Sequence, residues 1–506
     1  MRILLVQPAS NIMKNRKEGK PSLQPLGLAY IAGTLIANGY KDVEILDVLT
    51  EGYYNETSFK KDYIRYGLSP KEIKERIKDF NPDIVGVSSI CSLRQYHALE
   101  ICKLAKEVNQ NIVTVVGGNH FTCYPKKALR KKYVDFVVMG EGEAPFLKLV
   151  QSIKICGKPR IPLWFSNNIK KIDGIAYKLG KGQPDRKKYG KYIIQPQKEW
   201  RKDLDNIPFP AHHLLPLDKH LEIWNKEGYH YYPAKKFTTM IMARGCPNMC
   251  RHCPHDVLFP GYRTRSAQNI FDEVKKVHEE LNIEEVQFHE YNGIVVWSIV
   301  EKFCNLMIES GLNKKIVWGW PIGIWLKALD YDKLKLMREA GMLYVDLAIE
   351  SYDQKKLNEI MKGKDVDLKH TLNVIKWCRE LGYYMNCFFM LGLEGQTKKD
   401  IEKTIEFASK LDVDTIAFFI AQPLPGTPFW DECVKKKLFI KDFETFHLRY
   451  GKANIKVTGI TPEELENYRH KARNDFIEYW KKRGRMPYPG KRGSNFLQGR
   501  NCSICT

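Results

Sequence analysis

Three cysteines in one short loop are the residues whose spacing points most directly to chemistry. Cys246, Cys250 and Cys253 stand in a C-x3-C-x2-C arrangement within "RGCPNMCRHCP". Three thiols are an odd number for disulfides and one fewer than a tetrahedral metal site needs. Thiolates are the usual ligands of iron–sulfur clusters, and a four-iron cluster normally takes four of them. A loop with three thiolates therefore leaves one iron open to a small molecule, as an open zinc site binds water.

A structural zinc site is the alternative use of this loop. His252 or His255 could supply the fourth ligand of a tetrahedral site. The loop follows the strand pattern "FTTMIMA" at the head of a segment in which strand and helix patterns alternate. That position favours the cluster over zinc.

The cysteine spacing, and its place after a first barrel strand, resemble the radical S-adenosylmethionine (SAM) superfamily. In that family the open iron chelates the amino and carboxylate groups of SAM, and an electron from the cluster cleaves SAM to a 5′-deoxyadenosyl radical. The resemblance implies a [4Fe-4S] cluster on Cys246, Cys250 and Cys253. It also implies SAM as a cofactor and a low-potential electron donor of the flavodoxin or ferredoxin type.

Further segments resemble the SAM-binding parts of that family. Glu290 in "FHEYNG" ends the second strand, where the family binds the amino end of SAM. Glu350 and Ser351 in "AIES" end the fourth strand, where the family often uses a glutamate near the ribose, and "FMLGLEGQT" resembles the segment beside the adenine. His252 departs from the family, which usually has an aromatic residue before the third cysteine; its ring could fill the same space near adenine or titrate. For each glutamate, a salt bridge at the barrel mouth is the alternative.

The segments after residue 155 differ in pattern. Residues 236–445 alternate six apolar strand patterns with amphipathic helices such as "NIFDEVKKVHEEL", which predicts a partial (β/α)6 barrel with its chemistry at the C-terminal strand ends. Residues 156–235 are rich in Lys, Gly, Pro and Tyr, and we expect a linker segment with one hairpin, over "IDGIAYKLGKGQPDRKKYGKYIIQP". Residues 446–506 predict a small helical C-terminal region, around "PEELENYRHKARNDFIEYWKKRG", and a tail.

Residues 1–155 predict a doubly wound, Rossmann-like α/β domain. Apolar runs such as "ILLV" and "DIVGVSS" alternate with helical stretches such as "PKEIKERIKDF". Strands that are apolar throughout are typical of a parallel sheet covered on both faces. Ligands of such a sheet bind beyond the carboxyl ends of its strands.

Small residues mark those carboxyl ends. Ser88 and Ser89 end the third strand pattern, and Gly117 and Gly118 end the fourth, where glycine lets a bulky ligand approach the backbone. Together with "MGEGEAPF" and "QPLGLAYIAGTL", these residues resemble the cobalamin-binding domain fused ahead of many radical SAM barrels. The resemblance covers residues 1 to about 445 and implies cobalamin as a further cofactor. A nucleotide-like fold that has lost its ligand is the alternative, and the absence of G-x-G-x-x-G after the first strand counts against NAD.

The chain departs from classical cobalamin domains in one loop. Those domains place a histidine on cobalt from a D-x-H-x-x-G loop after the first strand, whereas "QPASNIMKNRKEG" contains no histidine. We therefore expect no cobalt–histidine bond from this loop. The lower face of the corrin would meet residues near Ile90–Arg94.

Composition limits the partners and the cellular location that we expect for the protein. The chain has 506 residues and a net charge of +22, which favours anionic partners, although lysine-rich solvated surface is the simpler explanation. The lysines are not interleaved with aromatic residues, so nucleic acid is not an expected partner. Thirteen cysteines, mostly scattered singly, and no apolar run near the ~20 residues that span a bilayer favour a cytoplasmic protein. Cys304 and Cys378 fit helix cores; Cys502 and Cys505 form a C-x2-C pair that is either a metal site or part of a frayed tail.

These observations predict a cobalamin-dependent radical SAM methyltransferase that acts on an unactivated carbon of an unidentified substrate, for which the basic charge favours an anion. The alternative within the fold is a radical cyclase or oxidative enzyme, like the anaerobic cyclase of chlorophyll synthesis. The alternative of another class is a binding or sensing protein that holds the cofactors without turnover.

Overall fold

The computed structural model describes residues 1–14, 20, 22–155, 169–179, 191–227, 236–457 and 459–484. The chain divides into two compact units, Met1–His220 and Leu221–Thr506. Cys502 and Cys505 lie outside the described residues. No helix in the described part of the chain is long and apolar enough to cross a membrane.

The first unit is built on a seven-stranded sheet in the order β10-β9-β8-β7-β6-β1-β3. Its strands are β1 (Ile3–Gln7), β3 (Val43–Asp47), β6 (Ile84–Ser88), β7 (Val113–Gly117), β8 (Phe136–Val138), β9 (Ile175–Lys178) and β10 (Tyr192–Gln195). The five strands from β3 to β8 are parallel, in the flavodoxin-like 2-1-3-4-5 order. The predicted doubly wound domain is therefore confirmed, with its ligand edge at the carboxyl ends of these strands.

Three helices of the first unit, Leu26–Ala37, Pro70–Phe80 and Gln95–Val108, coincide with predicted helical patterns. One example begins after Ser69, whose hydroxyl accepts from the backbone of Glu72 while the Glu72 side chain accepts from the backbone of Ser69. This capping box and the proline at the first helical position fix where the helix starts. The helices are α1 (Leu26–Ala37), α2 (Val48–Glu51), α3 (Pro70–Phe80), α4 (Gln95–Val108), α5 (Asn119–Cys123), α6 (Pro125–Leu129), α7 (Glu143–Ile155) and α8 (Leu217–Glu227).

The segment interpreted as a linker contributes to the first unit. Its predicted hairpin is present as the antiparallel pair β9 and β10, and β9 pairs with β8, so the hairpin extends the sheet at one edge. The boundary between the two units falls inside α8. Within this segment, the hairpin therefore makes its backbone hydrogen bonds on the sheet of the first unit.

A second, three-stranded sheet in the first unit is absent from the sequence prediction. Its antiparallel strands are β2 (Ser10–Met13), β4 (Glu56–Ser58) and β5 (Tyr63–Tyr66), in the order β2-β5-β4. The polar stretch that contains β4 lacks the apolar alternation that identifies a strand. This sheet holds the loop that follows β1.

The second unit contains six parallel strands, in the order β11-β15-β16-β17-β19-β20. They are β11 (Phe237–Met240), β15 (Glu285–Phe288), β16 (Val317–Ile324), β17 (Met342–Glu350), β19 (Tyr384–Leu391) and β20 (Thr415–Ile420). Each coincides with one of the six strand patterns of the sequence. The predicted partial (β/α)6 barrel is confirmed.

The helices of the second unit pack around this sheet. They are α9 (His255–Leu258), α10 (Ala267–Leu281), α11 (Trp297–Glu309), α12 (Tyr331–Glu339), α13 (Gln354–Ile360), α14 (Leu368–Glu380), α15 (Lys398–Ser409), α16 (Pro428–Lys435) and α17 (Pro462–Lys481). Cys304 and Cys378 are fully buried on α11 and α14, as expected of small core residues. Two short antiparallel pairs also occur, β12 (Ala243–Gly245) with β14 (Tyr262–Thr264), and β13 (Met249–Cys250) with β18 (Met361–Lys362).

Candidate functional site

The cysteine loop follows β11 and is folded by the pairing of β12 with β14. Gly245, immediately before Cys246, has a φ of +82°. A Cβ at this position would lie 1.7 Å from the carbonyl oxygen of Gly261, so glycine alone fits the close approach of the two chains. The first cysteine is therefore placed by a turn that no other residue could make.

The second cysteine lies in the pair formed by β13 and β18. Cys250 is opposite Met361, and Met249 is opposite Lys362. The backbone N–H of the next residue, Arg251, donates to the carbonyl oxygen of Ile360 at 3.1 Å. The loop is thus held by the chain segment that follows α13, in the fourth β/α unit of the barrel.

The three thiols share a buried environment. Burial raises the pKa of Cys246, that of Cys250 to about 11 and that of Cys253 to about 12, while the charge of Lys364 lowers all three. The side chain of Asn292 makes a hydrogen bond that favours the Cys246 thiolate. Since metals bind thiolates, loading this site must release protons.

The donor set fits a cluster better than a single ion. Across the described residues, no three His, Cys, Asp or Glu side chains meet at one point as a single metal ion requires. A four-iron cluster binds each thiolate on a separate iron and so needs no such convergence. Cys246, Cys250 and Cys253 nevertheless lie close enough for their charges to act on one another. The three residues present fit the predicted [4Fe-4S] cluster.

Glu350, one of the residues expected at the SAM ribose, ends β17 in a rare backbone conformation. Its φ is 74°, which costs energy for any residue except glycine. Its Oε1 lies 2.8 Å from Nζ of Lys364, and each side chain is only 11% exposed. The pKa of Lys364 is raised, because its interactions with Glu350 and Cys250 outweigh the effect of burial. The barrel-mouth salt bridge considered for this glutamate is therefore present.

Glu290, expected at the amino end of SAM, makes hydrogen bonds within the protein through both carboxylate oxygens. Its Oε2 accepts from the backbone N–H of Met242 at 3.1 Å, and its Oε1 accepts from Nε1 of Trp320. The side chain is buried, and burial raises its pKa to about 7. Glu290 thereby ties the start of the cysteine loop to β16, through hydrogen bonds and not through a salt bridge.

The remaining predicted SAM residues lie at the same carboxyl ends of the strands. Burial lowers the pKa of His252, and its Nδ1 has no hydrogen-bond partner among the described residues. The Ser351 hydroxyl accepts from the backbone of Asp353 at 3.2 Å, just before α13. In "FMLGLEGQT", the buried Gln396 accepts from the backbone N–H groups of Gly392 and Leu393 at 2.8 and 3.0 Å. This side-chain brace fixes the turn that ends β19.

The first unit brings its predicted ligand residues together. Ser88 is opposite Gly117 in the β6–β7 pair. Gly118 has a φ of +86°, and a Cβ there would lie 2.7 Å from the carbonyl oxygen of Ser89. The following helix α5 adds His120, whose Nδ1 lies 2.9 Å from the Ser92 hydroxyl and whose burial lowers its pKa to about 3. A narrow backbone cradle thus forms where the corrin is expected.

A buried polar network lies along the same edge. Gln7, at the end of β1, donates to Asp47, at the end of β3, at 2.9 Å, and Nη1 of Arg94 donates to Gln7 at 3.3 Å. His220 Nε2 lies 3.1 Å from the other oxygen of Asp47. Burial of Asp47 opposes its ionisation, but the hydrogen bond and charge of His220 outweigh burial, so the pKa of Asp47 is lowered. Arg94 belongs to the segment expected below the corrin, and this network fixes its position.

Sequence reasoning missed several of these groups. Lys364, His120 and the Asp47–His220 pair were not proposed as site residues, and Asn292 lies in "FHEYNG" but was not singled out there. The available signal was a polar residue at the end of an apolar strand for Asp47, and membership of the predicted SAM segment for Asn292. The sequence offers no signal for Lys364, because the position of Lys364 beside the cysteine loop depends on a pairing between distant segments.

Family models match both units of the chain. The model described as a B12 binding domain matches residues 17–150, and that of the radical SAM superfamily matches residues 240–408. The cytidylyl-2-hydroxyethylphosphonate methyltransferase of Streptomyces wedmorensis is 30% identical over 94% of this chain and 90% of its own. The chain belongs to the cobalamin-binding radical SAM family. This cobalamin-binding radical SAM protein is also 28% identical to the anaerobic magnesium-protoporphyrin IX monomethyl ester cyclase of Rubrivivax gelatinosus, over 88% of this chain and 72% of that one.

Solved structures share the fold of this cobalamin-binding radical SAM protein. The methyltransferase TsrM of Kitasatospora setae, with cobalamin and a [4Fe-4S] cluster bound, gives a TM-score of 0.67 at 14% identity, over 95% of this chain and 89% of TsrM. The cobalamin-dependent radical enzyme OxsB, with aqua-cobalamin and SAM bound, gives a TM-score of 0.66 at 15% identity, over 93% of this chain and 66% of OxsB. The predicted radical SAM enzyme class and the predicted cofactors, a [4Fe-4S] cluster, SAM and cobalamin, are confirmed by the family.

Proposed function

We propose that this protein transfers a methyl group from SAM to an unactivated carbon of an anionic substrate. The observation that carries the proposal is the combination, in one chain, of a B12-binding domain with a three-cysteine loop at the carboxyl end of the first barrel strand. When bound, the cluster, SAM and cobalamin supply the one-electron chemistry and the methyl carrier, and the protein positions them.

The cysteine loop is assigned to the cluster. Cys246, Cys250 and Cys253 hold it, and the positive charge of Lys364 offsets the charge that three thiolates bring into a buried site. Gly245 gives the loop its shape. Each of these roles follows from contacts within the second unit.

Four residues are assigned to SAM, with different roles. Glu350 and Ser351 lie at the end of the fourth barrel strand and are proposed to face the ribose, while His252, neutral in its buried site, is proposed to lie near the adenine. Glu290 is proposed to position the loop for the amino end of SAM, because both carboxylate oxygens already accept hydrogen bonds. Its action on SAM would then be indirect.

The corrin is assigned to the edge of the first unit. Ser88, Ser89, Gly117 and Gly118 form the cradle, and the segment Ile90–Arg94 faces the lower side. The buried network from Arg94 to His220 keeps this edge rigid, because each member satisfies another.

The basic charge and one relative support an anionic substrate. The Streptomyces wedmorensis enzyme is named for a cytidylyl phosphonate, and phosphonates are anions. A net charge of +22 attracts such compounds. The similarity to anaerobic cyclases keeps a cyclase as the second candidate, and a non-catalytic cofactor-binding protein is the third.

The chemistry of the enzyme class supports an inference about its electron donor and its cellular location. A radical SAM enzyme needs a reductant, and we infer a low-potential carrier of the flavodoxin or ferredoxin type. Thirteen cysteines, mostly scattered singly along the chain, suit a reducing compartment, so a cytoplasmic location is proposed.

Product analysis separates the three functions. Reduced, reconstituted protein is given SAM with a deuterated methyl group and an extract from a strain that lacks the gene. A methyltransferase yields a labelled product together with equal amounts of S-adenosylhomocysteine and 5′-deoxyadenosine. A cyclase yields 5′-deoxyadenosine without S-adenosylhomocysteine, and a binding protein yields neither. Comparing metabolites and lipids of the deletion strain and its parent, for a mass difference of one methyl group, then identifies the substrate.

A further inference from the structure

The two strands β13 and β18 form a ribbon whose two faces differ in chemistry. Successive residues of a strand point to opposite faces. Cys250 and its partner Met361 share the inner face, where Met361 is 1% exposed. Met249 is 60% exposed, and its partner Lys362 is exposed as well. The ribbon thus carries a cluster ligand on one side and an exposed apolar–basic pair on the other.

The outer face of this ribbon is exposed and has little side-chain bulk. Pro247 and Gly363 are exposed beside Met249 and Lys362. Gly363 has a φ of +79°, and a Cβ there would lie 3.5 Å from Cα of Asn248, so the two backbones run close together. One strand thickness separates this face from the side that holds Cys250. Electron transfer weakens steeply with distance, so this face is a short route from solvent to the cluster.

The charge of the face selects a type of partner. Lys362 forms no ion pair within the described part of the chain, and Lys355 is exposed on the preceding helix α13. Glu359 is the exposed acid on the same helix. On the inner side, the charge of Lys364 acts on Cys250 and Cys253. An exposed methionine paired with an exposed lysine suits a partner with an apolar centre and an acidic rim.

We propose that the ribbon face formed by Pro247, Met249, Lys362 and Gly363 is the docking surface for an acidic, low-potential electron carrier. The carrier would lose one electron and the cluster held by Cys246, Cys250 and Cys253 would gain it. A flavodoxin would pass from its anionic hydroquinone to its neutral semiquinone, a change of one electron and no proton. The inference rests on the proposed assignment of the cluster to these cysteines.

Anaerobic stopped-flow reduction of the reconstituted full chain tests this surface. Flavodoxin hydroquinone and dithionite are compared as reductants of the wild type, Met249→Glu/Lys362→Glu and Lys315→Glu. Lys315 is an exposed lysine just before β16, at the opposite ends of the barrel strands. We expect the double variant to be reduced about 10-fold more slowly by flavodoxin, because reversed rim charge acts on association. Dithionite reduction should stay within about twofold of wild type, and Lys315→Glu should behave as wild type with both reductants.

A milder variant and the dithionite control distinguish failure of the proposed docking surface from failure of the cluster assignment. Lys362→Gln should weaken the salt dependence of reduction by flavodoxin, since one steering charge is lost. Wild-type flavodoxin rates and salt dependence in these variants would overturn the docking surface and leave the cluster assignment standing. If wild-type protein shows no dithionite-reducible iron–sulfur signal, the proposed function itself fails.

Discussion

The ammonium of Lys364 and the carboxylate of Glu350 form a buried ion pair, with Nζ 2.8 Å from Oε1. The pair joins the end of β17 to the turn after β18, which lies beside the cysteine loop. Glu350 holds its position with a positive φ, so the ion pair also stabilises a strained backbone. One contact therefore connects the cluster loop with the strand end expected to bind SAM.

Breaking this pair is expected to destabilise the protein. Lys364→Met leaves the Glu350 carboxylate buried without its cation, a change that costs roughly 3 kcal/mol. Lys327→Met is the matched control, since Lys327 and Asp365 pair at 2.8 Å with more than half of each side chain exposed, and its loss should cost under about 1 kcal/mol. Urea unfolding of the unloaded proteins measures both, and equal costs would contradict a buried role for Lys364.

Cluster binding should require the three loop cysteines, whereas a buried cysteine elsewhere in the chain should be dispensable for it. Cys246→Ala, Cys250→Ala or Cys253→Ala should remove most of the iron–sulfur absorbance and all SAM cleavage, because each thiolate holds one iron. Cys304→Ala, at a buried position on α11, should retain both. Absorbance spectra and 5′-deoxyadenosine after reconstitution provide the measurement. SAM cleavage by the triple alanine variant would exclude this site.

The buried Glu290 should make stability fall as pH rises. Its pKa is about 7 in the folded chain and near 4.5 when exposed, so the folded state binds its proton more tightly. This stabilising effect is complete below about pH 4.5 and is lost as pH rises towards about 7. Between pH 5 and pH 8, wild type should lose about 2 kcal/mol of unfolding free energy relative to Glu290→Gln. The exposed Glu309→Gln should show no such difference, and parallel pH profiles for wild type and Glu290→Gln would refute the buried carboxyl.

Two glycines with a positive φ test the corrin cradle. Gly118→Ala brings a Cβ to 2.7 Å from the Ser89 carbonyl oxygen, whereas Gly39→Ala, with a φ of +82°, meets nothing within 4 Å. Gly118 also has a ψ of 177°, a backbone region that is nearly confined to glycine, so its substitution carries the larger backbone cost, and circular dichroism must show that both variants fold before cobalamin is compared. Cobalamin retained after gel filtration should fall in Gly118→Ala only, and the iron–sulfur absorbance should persist in both. A bulkier residue at Gly117 or Gly118 should abolish methyl transfer while leaving some SAM cleavage; methylation without bound corrin would remove the proposed role of the first unit.

The cobalt should carry no histidine nitrogen. The loop after β1, which supplies the ligand in classical cobalamin domains, contains no histidine. Electron paramagnetic resonance of the Co(II) form should therefore lack nitrogen superhyperfine splitting from a protein imidazole. Splitting that disappears in His120→Gln would identify His120 as a ligand and contradict the expectation.

Continuous local patterns explain what the sequence could predict. The strands of both sheets are apolar runs of four to nine residues in the second unit and three to five in the first, bounded by turns, so they were found from periodicity alone. The cysteine spacing is equally local. The β2–β5–β4 sheet and the attachment of the β9–β10 hairpin are pairings between segments, and composition carries no sign of them.

Side-chain partners were the part of the site that the sequence could not supply. "FHEYNG" places Glu290 at a strand end, but nothing local indicates that Trp320 would donate to it from the next strand. Lys364 reaches Glu350 only because β13 pairs with β18. Such contacts depend on tertiary packing, which a single sequence does not encode in its spacing.

The pairing of Cys250 with Met361 has a consequence for biosynthesis. The two residues are separated by on the order of a hundred positions, so the cysteine loop has high contact order. A nascent chain that has emerged only as far as α12 lacks the partner strand of this loop. Iron and sulfide delivered at that stage would meet cysteines without their final scaffold. Cluster insertion should therefore wait until β18 has emerged from the ribosome and paired with β13.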